Sequence, residues 1–268
     1  MKHGQRITVC IPARNEEDTV GSIVSEIVRE LMGPAGLVDE LLVLDDASTD
    51  ATAHVARQAG AQVINVGEAL KDFDPGAGKG NALWAGLHAS TGDIVAFCDG
   101  DLLTFTYRYV TRLVAPLLAD PHLAFVKAFY DRPLDAEGNG GGRTTELLAR
   151  PMFRLLYPQL ARLHQPLSGE FAGRHDVLST VPFVQSYGVE AGLLIDLLGL
   201  VGTTAITQVD LGVKRHRHRS LRDLSDQATE IAAVILDRSG VKLPEGAAGG
   251  ALPERPPLKD TLVRRRTA

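Results

Sequence analysis

The sequence predicts an α/β fold, a mostly parallel sheet flanked by helices on both faces. Short apolar runs alternate with stretches of helical period through the first half. The runs are apolar throughout rather than alternating, as strands covered on both faces are. Polar clusters fall at the ends of three of them, where such sheets bind ligands. With 268 residues, 44% hydrophobic and 23% charged, the chain can build a large core without a disulfide or metal staple.

The elements follow in order. Ile7–Ile11 reads as the first strand. Asn15 is placed to cap a helix, with Asp18 at the capping-box position. Val20, Ile23, Val24, Ile27, Val28 and Leu31 form that helix's apolar face. Leu41–Leu44 is the second strand, ending in Asp45-Asp46. Thr49 or Asp50 starts the next helix, and Gly60 closes it. Gln62–Val66 is the third strand. A loop rich in Gly and Asp, 67–80, leads into a helix bearing Leu83, Trp84 and Leu87. Ile94–Cys98 is the fourth strand and runs directly into Asp99-Gly100-Asp101. A helix with Val110, Leu113, Val114 and Leu117 precedes a fifth strand, Leu123–Phe129.

The second half is less regular. A glycine run ending at Gly142 precedes Arg143-Thr144-Thr145 and an apolar helical stretch, which Pro151 and Pro158 are expected to break. Leu167–Glu170 reads as a loop, and Tyr187–Glu190 opens a helix through Leu198. Ala205–Val213 is a strand running into His216-Arg217-His218-Arg219. Ser220 and Asp223 cap a last helix. The expected organisation is a nucleotide-binding half, 1–130, a second half of the same domain, 131–240, and a flexible tail, 241–268, rich in Pro, Gly, Ala and Arg.

A formal charge of −5 argues against a broad nucleic-acid surface. No apolar run approaches the ~20 residues of a membrane span. Two cysteines, Cys10 and Cys98, lie inside apolar runs, so a reducing cytoplasm is the expected compartment.

Several motifs carry chemistry. Asp99-Gly100-Asp101 at a strand end offers hard oxygen ligands for Mg²⁺ or Mn²⁺ beside a diphosphate. The bland alternative is a polar turn. Asp46 is the candidate nucleotide contact in Asp45–Asp50, a cluster that also serves as a helix start. Gly76-Ala77-Gly78-Lys79-Gly80 fails as a P-loop, because Gly80 stands where Ser or Thr should hold Mg²⁺. Lys79 still sits where it can meet a phosphate at a helix start, or stand as a solvated lysine. His216 and His218 share one side of an extended segment and are candidate metal ligands. Their neighbours Lys214, Arg215, Arg217 and Arg219 make a solvated basic stretch the alternative. Gly142 and Arg143 before a helix suit an anion.

Together these motifs resemble a known family. Ile11-Pro12-Ala13-Arg14-Asn15-Glu16-Glu17, Leu44–Asp50, Gly78–Leu83 and Asp99-Gly100-Asp101 are similar to the series in A-type, sugar-nucleotide-dependent glycosyltransferases. Gly141–Leu147, Leu167-Ser168-Gly169-Glu170, Tyr187-Gly188-Val189-Glu190 and Val209–Val213 with His216 resemble the glucosyl-3-phosphoglycerate synthases. The resemblance spans roughly 7–240. It implies an A-type glycosyltransferase fold and a retaining transfer of glucose from a nucleoside diphosphate glucose, UDP-glucose first, to the 2-hydroxyl of 3-phosphoglycerate. It further implies Mg²⁺ or Mn²⁺ on Asp101 and His216, and donor contacts from Pro12, Ala13, Glu16, Asp46, Lys79, Asp99 and Gly100. Acceptor contacts fall to Gly142, Arg143, Thr145, Ser168, Gly169 and His218. Asp99, Asp101 and Glu190 stand at the reaction centre, and a homodimer is expected. Three positions depart from the family's habit: Asp46 and Gly100 where serine is common, and His218 where asparagine is common. A GDP-mannose transferase and a catalytically silent sugar-nucleotide module are the rival readings; intact Asp99, Asp101 and His216 argue against the second.

Overall fold

The computed structural model describes residues 2, 4–33, 36–131, 142–214, 221–244 and 253–261. The chain runs β1 (Ile7–Ala13), α1 (Val20–Leu31), β2 (Glu40–Asp45), α2 (Thr52–Gln58), β3 (Gln62–Asn65), the single turn α3 (Val66–Ala69), α4 (Lys79–Ala89), β4 (Ile94–Phe97), α5 (Arg108–Ala119) and β5 (Phe125–Asp131). After Gly142 come a π-helical turn (Thr145–Ala149) and α6 (Arg150–Leu156). Then follow β6 (Phe171–Arg174), α7 (His175–Leu178), β7 (Phe183–Val184), α8 (Val189–Val201), β8 (Ile206–Val213), α9 (Leu221–Arg238) and β9 (Glu254–Arg255).

The main sheet has seven strands in the order β3-β2-β1-β4-β6-β5-β8. The pairs β1–β2, β1–β4, β2–β3 and β5–β8 are parallel. β6 lies antiparallel between β4 and β5. One sheet therefore spans both halves of the chain. The period of two in β1 divides its side chains: Ile7, Val9 and Ile11 join a core with α1 and α5, while Cys10 joins the opposite core with α4 and α8. Both faces are covered, which is why the strands carry few polar residues.

Four expectations change at the level of elements. Asn15 does not cap α1, which starts at Val20 after Thr19, itself without a side-chain cap bond. Asn15 instead adopts φ 58°, and its side chain turns outward to Thr49. The third strand stops at Asn65, whose side chain caps α3 by accepting from the Glu68 amide at 3.0 Å. Pro151 does not break its helix. It sits at the start of α6 directly after the π turn, which reroutes the hydrogen bonds around its missing N–H. β6, absent from the expected elements, is short, and its Gly173 packs against Leu178, whose Cδ1 would lie 2.9 Å from a Cβ there.

The expected loose tail also requires correction over 253–261. β9 pairs with β7, the Trp84 indole donates to Pro256 O at 2.9 Å, and Leu258 is buried in the core.

Candidate active site

The site starts from loops that bind one another. After β1 and β2 the chain turns through left-handed Asn15 and Ala47 (φ 58° and 56°). Asn15 Oδ1 accepts from Thr49 N at 2.8 Å, Ser48 Oγ accepts from Asn15 N at 3.1 Å, and Thr52 Oγ1 accepts from Glu16 N at 2.7 Å. Most of the polar residues after β2 thus satisfy backbone groups rather than face a ligand. Asp46 is different: it lines the cleft, and burial raises its carboxyl against the opposing pull of Arg14. The acidic triplet after β4 is tied in from α1, where Thr19 Oγ1 donates to Gly100 O at 2.6 Å. Position 100 lacks room for a side chain, since a Cβ would stand 2.9 Å from Pro12 O.

A chain of alternating charge forms the floor, buried at Glu190, Lys214 and Glu170 and partly open to the cleft at Lys79 and Asp99. Glu190, at the start of α8, meets Lys79 Nζ at 2.8 Å. Lys79 meets Asp99 Oδ1 at 2.9 Å, and Asp99 Oδ2 meets Lys214 Nζ at 2.9 Å. Lys214 ends on Glu170 Oε1 at 2.6 Å, with Tyr130 Oη at 3.4 Å. Burial alone would raise the Asp99 carboxyl, but Lys214 and Lys79 outweigh it and hold the group well below the usual carboxylate range. Burial likewise disfavours charge on Lys79, yet Asp99 and Glu190 reverse that and keep it protonated. Glu170 moves the other way: burial, with Asp99 adding, raises it despite Lys214. A Cβ at position 169 would collide with the Asp99 carboxylate, so Gly169 lets β6 approach the triplet.

Above this floor lies an open cleft of about 700 Å³. It collects Pro12, Ala13, Glu16, Asp46, Lys79, Asp99, Gly100 and Asp101 from the front half, and Gly142, Arg143, Thr145, Gly169 and Glu190 from the rear. Ser168 is not on the wall: its hydroxyl is fully buried and donates to Ala128 O at 2.7 Å. His216 and His218 lie outside the described residues. Among the described residues no group of three His, Cys, Asp or Glu side chains is arranged to hold a metal ion. Both Asp99 oxygens are engaged by lysines, while Asp101 stands on the cleft wall with a hard carboxylate donor suited to Mg²⁺ or Mn²⁺.

Two residues of the floor escaped the sequence reading. Lys214 belongs to a basic run whose composition favours a solvated stretch, yet its side chain is 2% exposed. The signal was its place directly after the apolar strand β8. Glu170 carried a similar signal, a carboxylate abutting apolar Phe171 and Ala172. Ser186, Tyr187, Gln227 and Glu230 also line the cleft, the last two from α9.

This sheet, with its acidic triplet at the end of β4 under a polar cleft, defines a sugar-transferring enzyme class: the family model described as glycosyl transferase family 2 matches residues 8–181. The glucosyl-3-phosphoglycerate synthase of Mycolicibacterium smegmatis is 47% identical over 244 residues, covering 90% of this chain and 80% of that protein. The Mycobacterium tuberculosis enzyme of the same name is 42% identical, covering 96% and 86%. A crystal structure of the M. tuberculosis enzyme with Mn²⁺, UDP-glucose and phosphoglyceric acid superposes with TM-score 0.89 at 41% identity, covering 97% of this chain and 92% of that one. Another, with Mg²⁺ and UDP, gives 0.87 at 41% identity, covering 97% and 93%. The chain belongs to the glucosyl-3-phosphoglycerate synthase family.

Proposed function

We propose that this protein transfers the glucosyl group of UDP-glucose to the 2-hydroxyl of 3-phosphoglycerate, with retention at the anomeric carbon, releasing UDP. The observation that carries the reading is a single cleft lined by both the Asp99–Asp101 triplet and the Arg143 helix start. The triplet suits a sugar diphosphate and the helix start a phosphorylated acceptor.

On this reading Pro12, Ala13, Glu16, Asp46 and Gly100 hold the nucleoside, and Lys79 and Asp99 flank the diphosphate and sugar. Asp101 and His216 would hold Mg²⁺ or Mn²⁺, which when bound offsets charge on the departing diphosphate. Gly142, Arg143 and Thr145 receive the acceptor phosphate. The helix N-terminus opening the run 143–156 adds its positive dipole end to the Arg143 fork. Gly169 and His218 lie toward the glycerate. Ser168 contributes by holding the backbone before Gly169 through Ala128 O.

Binding the acceptor phosphate away from the reacting bond orients the 2-hydroxyl. The C1–O bond to the diphosphate breaks, a bond from C1 to the glycerate oxygen forms on the same face, and the hydroxyl proton passes to the diphosphate oxygen. Glu190 is fastened to Lys79 and orients acceptor or sugar rather than attacking C1. A homodimer in the cytoplasm completes the reading. The family resemblance supports the dimer, and two free, buried cysteines support a reducing compartment.

The test is a donor-by-acceptor activity matrix with and without divalent ion, the product anomer read by NMR. UDP-glucose with 3-phosphoglycerate and Mn²⁺ or Mg²⁺ is expected to give the α-glucoside fastest. Faster turnover of GDP-mannose, an inverted product, or equal use of unphosphorylated glycerate would overturn it. Sedimentation velocity tests the dimer.

A further inference from the structure

The C-terminal strap around β9 reaches the back of the cleft wall through one side chain. Arg255 is 3% exposed, and its Nε donates to Asn81 Oδ1 at 2.7 Å across 174 positions of sequence. Its guanidinium lies 5.6 Å from the Trp84 ring, and its Nη2 packs so closely on Gly76 that a Cβ there would collide with it. Gln185, which follows β7, receives the Ala77 amide on Oε1 at 3.2 Å and the Asn81 amide on its backbone oxygen at 3.3 Å. Gly78 adopts φ 88°, and a Cβ there would stand 2.7 Å from Gln185 O. The loop 76–80 is therefore clamped from behind on both sides. Its front presents Ala77, Gly78 and Lys79 to the cleft.

We propose that Arg255 is a positioning residue for the donor: it holds the loop 76–80, and with it Lys79, at the spacing the sugar diphosphate requires. A guanidinium suits the task because it can donate to Asn81, pack against Gly76 and lie over the Trp84 ring at once. The inference rests on the reading of this wall as the donor side. It extends the catalytic unit past the last long helix into a segment whose composition resembles a disordered tail.

The strap has a second anchor that does not touch the loop. Glu254 pairs with Arg238 Nη2 at 2.5 Å on the outer side, so Glu254→Gln loosens the strap while sparing Arg255. The experiment compares Arg255→Met, Arg255→Lys and Glu254→Gln by steady-state kinetics with UDP-glucose and 3-phosphoglycerate, and by calorimetric titration of UDP with Mn²⁺. Arg255→Met is expected to raise the donor KM and weaken UDP binding about tenfold, with the acceptor KM within twofold. Arg255→Lys, keeping the charge but not the fork, should fall between. Glu254→Gln should lower Tm without changing either KM. Equal donor KM in Arg255→Met and the parent, parallel rises in both KM values, or the same donor defect in Glu254→Gln would overturn the proposal. Should Arg255→Met fail to fold, Arg255→Lys decides by the same comparison. Lys79→Met separates the underlying reading: if it leaves UDP binding intact, the wall is not the donor side. If it weakens binding while the Arg255 variants do not, only the strap inference fails.

Discussion

Lys214 and Asp99, 115 positions apart in sequence, close to 2.9 Å at the floor of the cleft. Lys214 is also the sole charge partner of the fully buried Glu170 among the ion pairs of the described residues, at 2.6 Å. Replacing it with Met leaves Glu170 without a counter-ion and Asp99 with Lys79 alone. The expected cost is about 3–5 kcal/mol, the usual cost of breaking a buried pair from one side. Urea denaturation at pH 7 measures it. Adding Glu170→Gln should recover most of that stability, because a neutral amide needs no counter-ion. It should not recover transfer, because Asp99 still lacks its second lysine. Equal stability of the single and double variants would show that Glu170 does not depend on Lys214.

Lys127 is a different kind of buried charge. It is 1% exposed, and its Nζ has no hydrogen-bond partner among the described residues, lying 5.1 Å from the Phe171 ring. Burial, only partly offset by Glu190, lowers it from 10.5 to about 8. The unfolded chain therefore binds the proton more tightly than the folded one, and stability rises as pH increases from about 8 toward 10.5. Lys127→Met removes that dependence. It should raise stability at pH 7 by up to about 3 kcal/mol, the free energy of a depression of this size. Denaturation midpoints at pH 7, 8.5 and 10 check both the gain and the flattened profile. A less stable variant at pH 7 would mean that the ammonium has a favourable partner in the fold.

The two lysines also mark where the sequence was legible and where it was not. Local signals served well for α1, whose buried Val20, Ile23, Val24, Ile27 and Leu31 stand at helical spacing, and for β1, β2 and β4, whose runs are apolar throughout. The polar residues that close those strands could be gathered at one cleft because parallel strands end on one side. Long-range pairing is what local pattern cannot express. β6 is four residues long and gains its place only between β4 and β5. Lys214 reads as one more basic residue until Asp99 and Glu170 arrive from elsewhere. Asn15 shows the reverse error: a residue with the right chemistry for a cap spends its side chain on Thr49, because two loops needed joining more than one helix needed capping. The composition of the tail hid Arg255, since only the fold reveals that its guanidinium meets Asn81 and Trp84.

Asp101 and Asp99 should respond differently to substitution although they share one turn. Both line the cleft, but Asp99 is locked between two lysines. Asp101→Ala is therefore expected to keep its fold and its Tm within a few degrees while losing divalent-dependent transfer. In the parent, Mn²⁺ together with UDP should raise Tm by mass action. In Asp101→Ala the increment from Mn²⁺ should vanish. Asp99→Asn, in contrast, leaves the buried Lys214 and the half-buried Lys79 each short of a partner and should lower Tm outright. An Asp101→Ala variant that transfers glucose equally well in EDTA would refute the assignment of the ion to this carboxylate.

Arg143 tests the acceptor end. It stands on the cleft wall at the start of the helical run 143–156, after Gly142 in the left-handed region at φ 76°. A guanidinium at a helix N-terminus recognises a phosphate but has little to offer an uncharged hydroxymethyl group. Arg143→Ala should therefore raise the KM for 3-phosphoglycerate by at least about tenfold, worth roughly 1.4 kcal/mol or more. The donor KM should change less than threefold, since the substitution removes none of the groups assigned to the donor. The discrimination of phosphoglycerate over glycerate is the sharper measure. The parent should prefer the phosphorylated acceptor strongly, and the variant should lose most of that preference by losing activity on phosphoglycerate alone. If kcat/KM for glycerate falls in the same proportion, Arg143 serves the shape of the cleft rather than the phosphate.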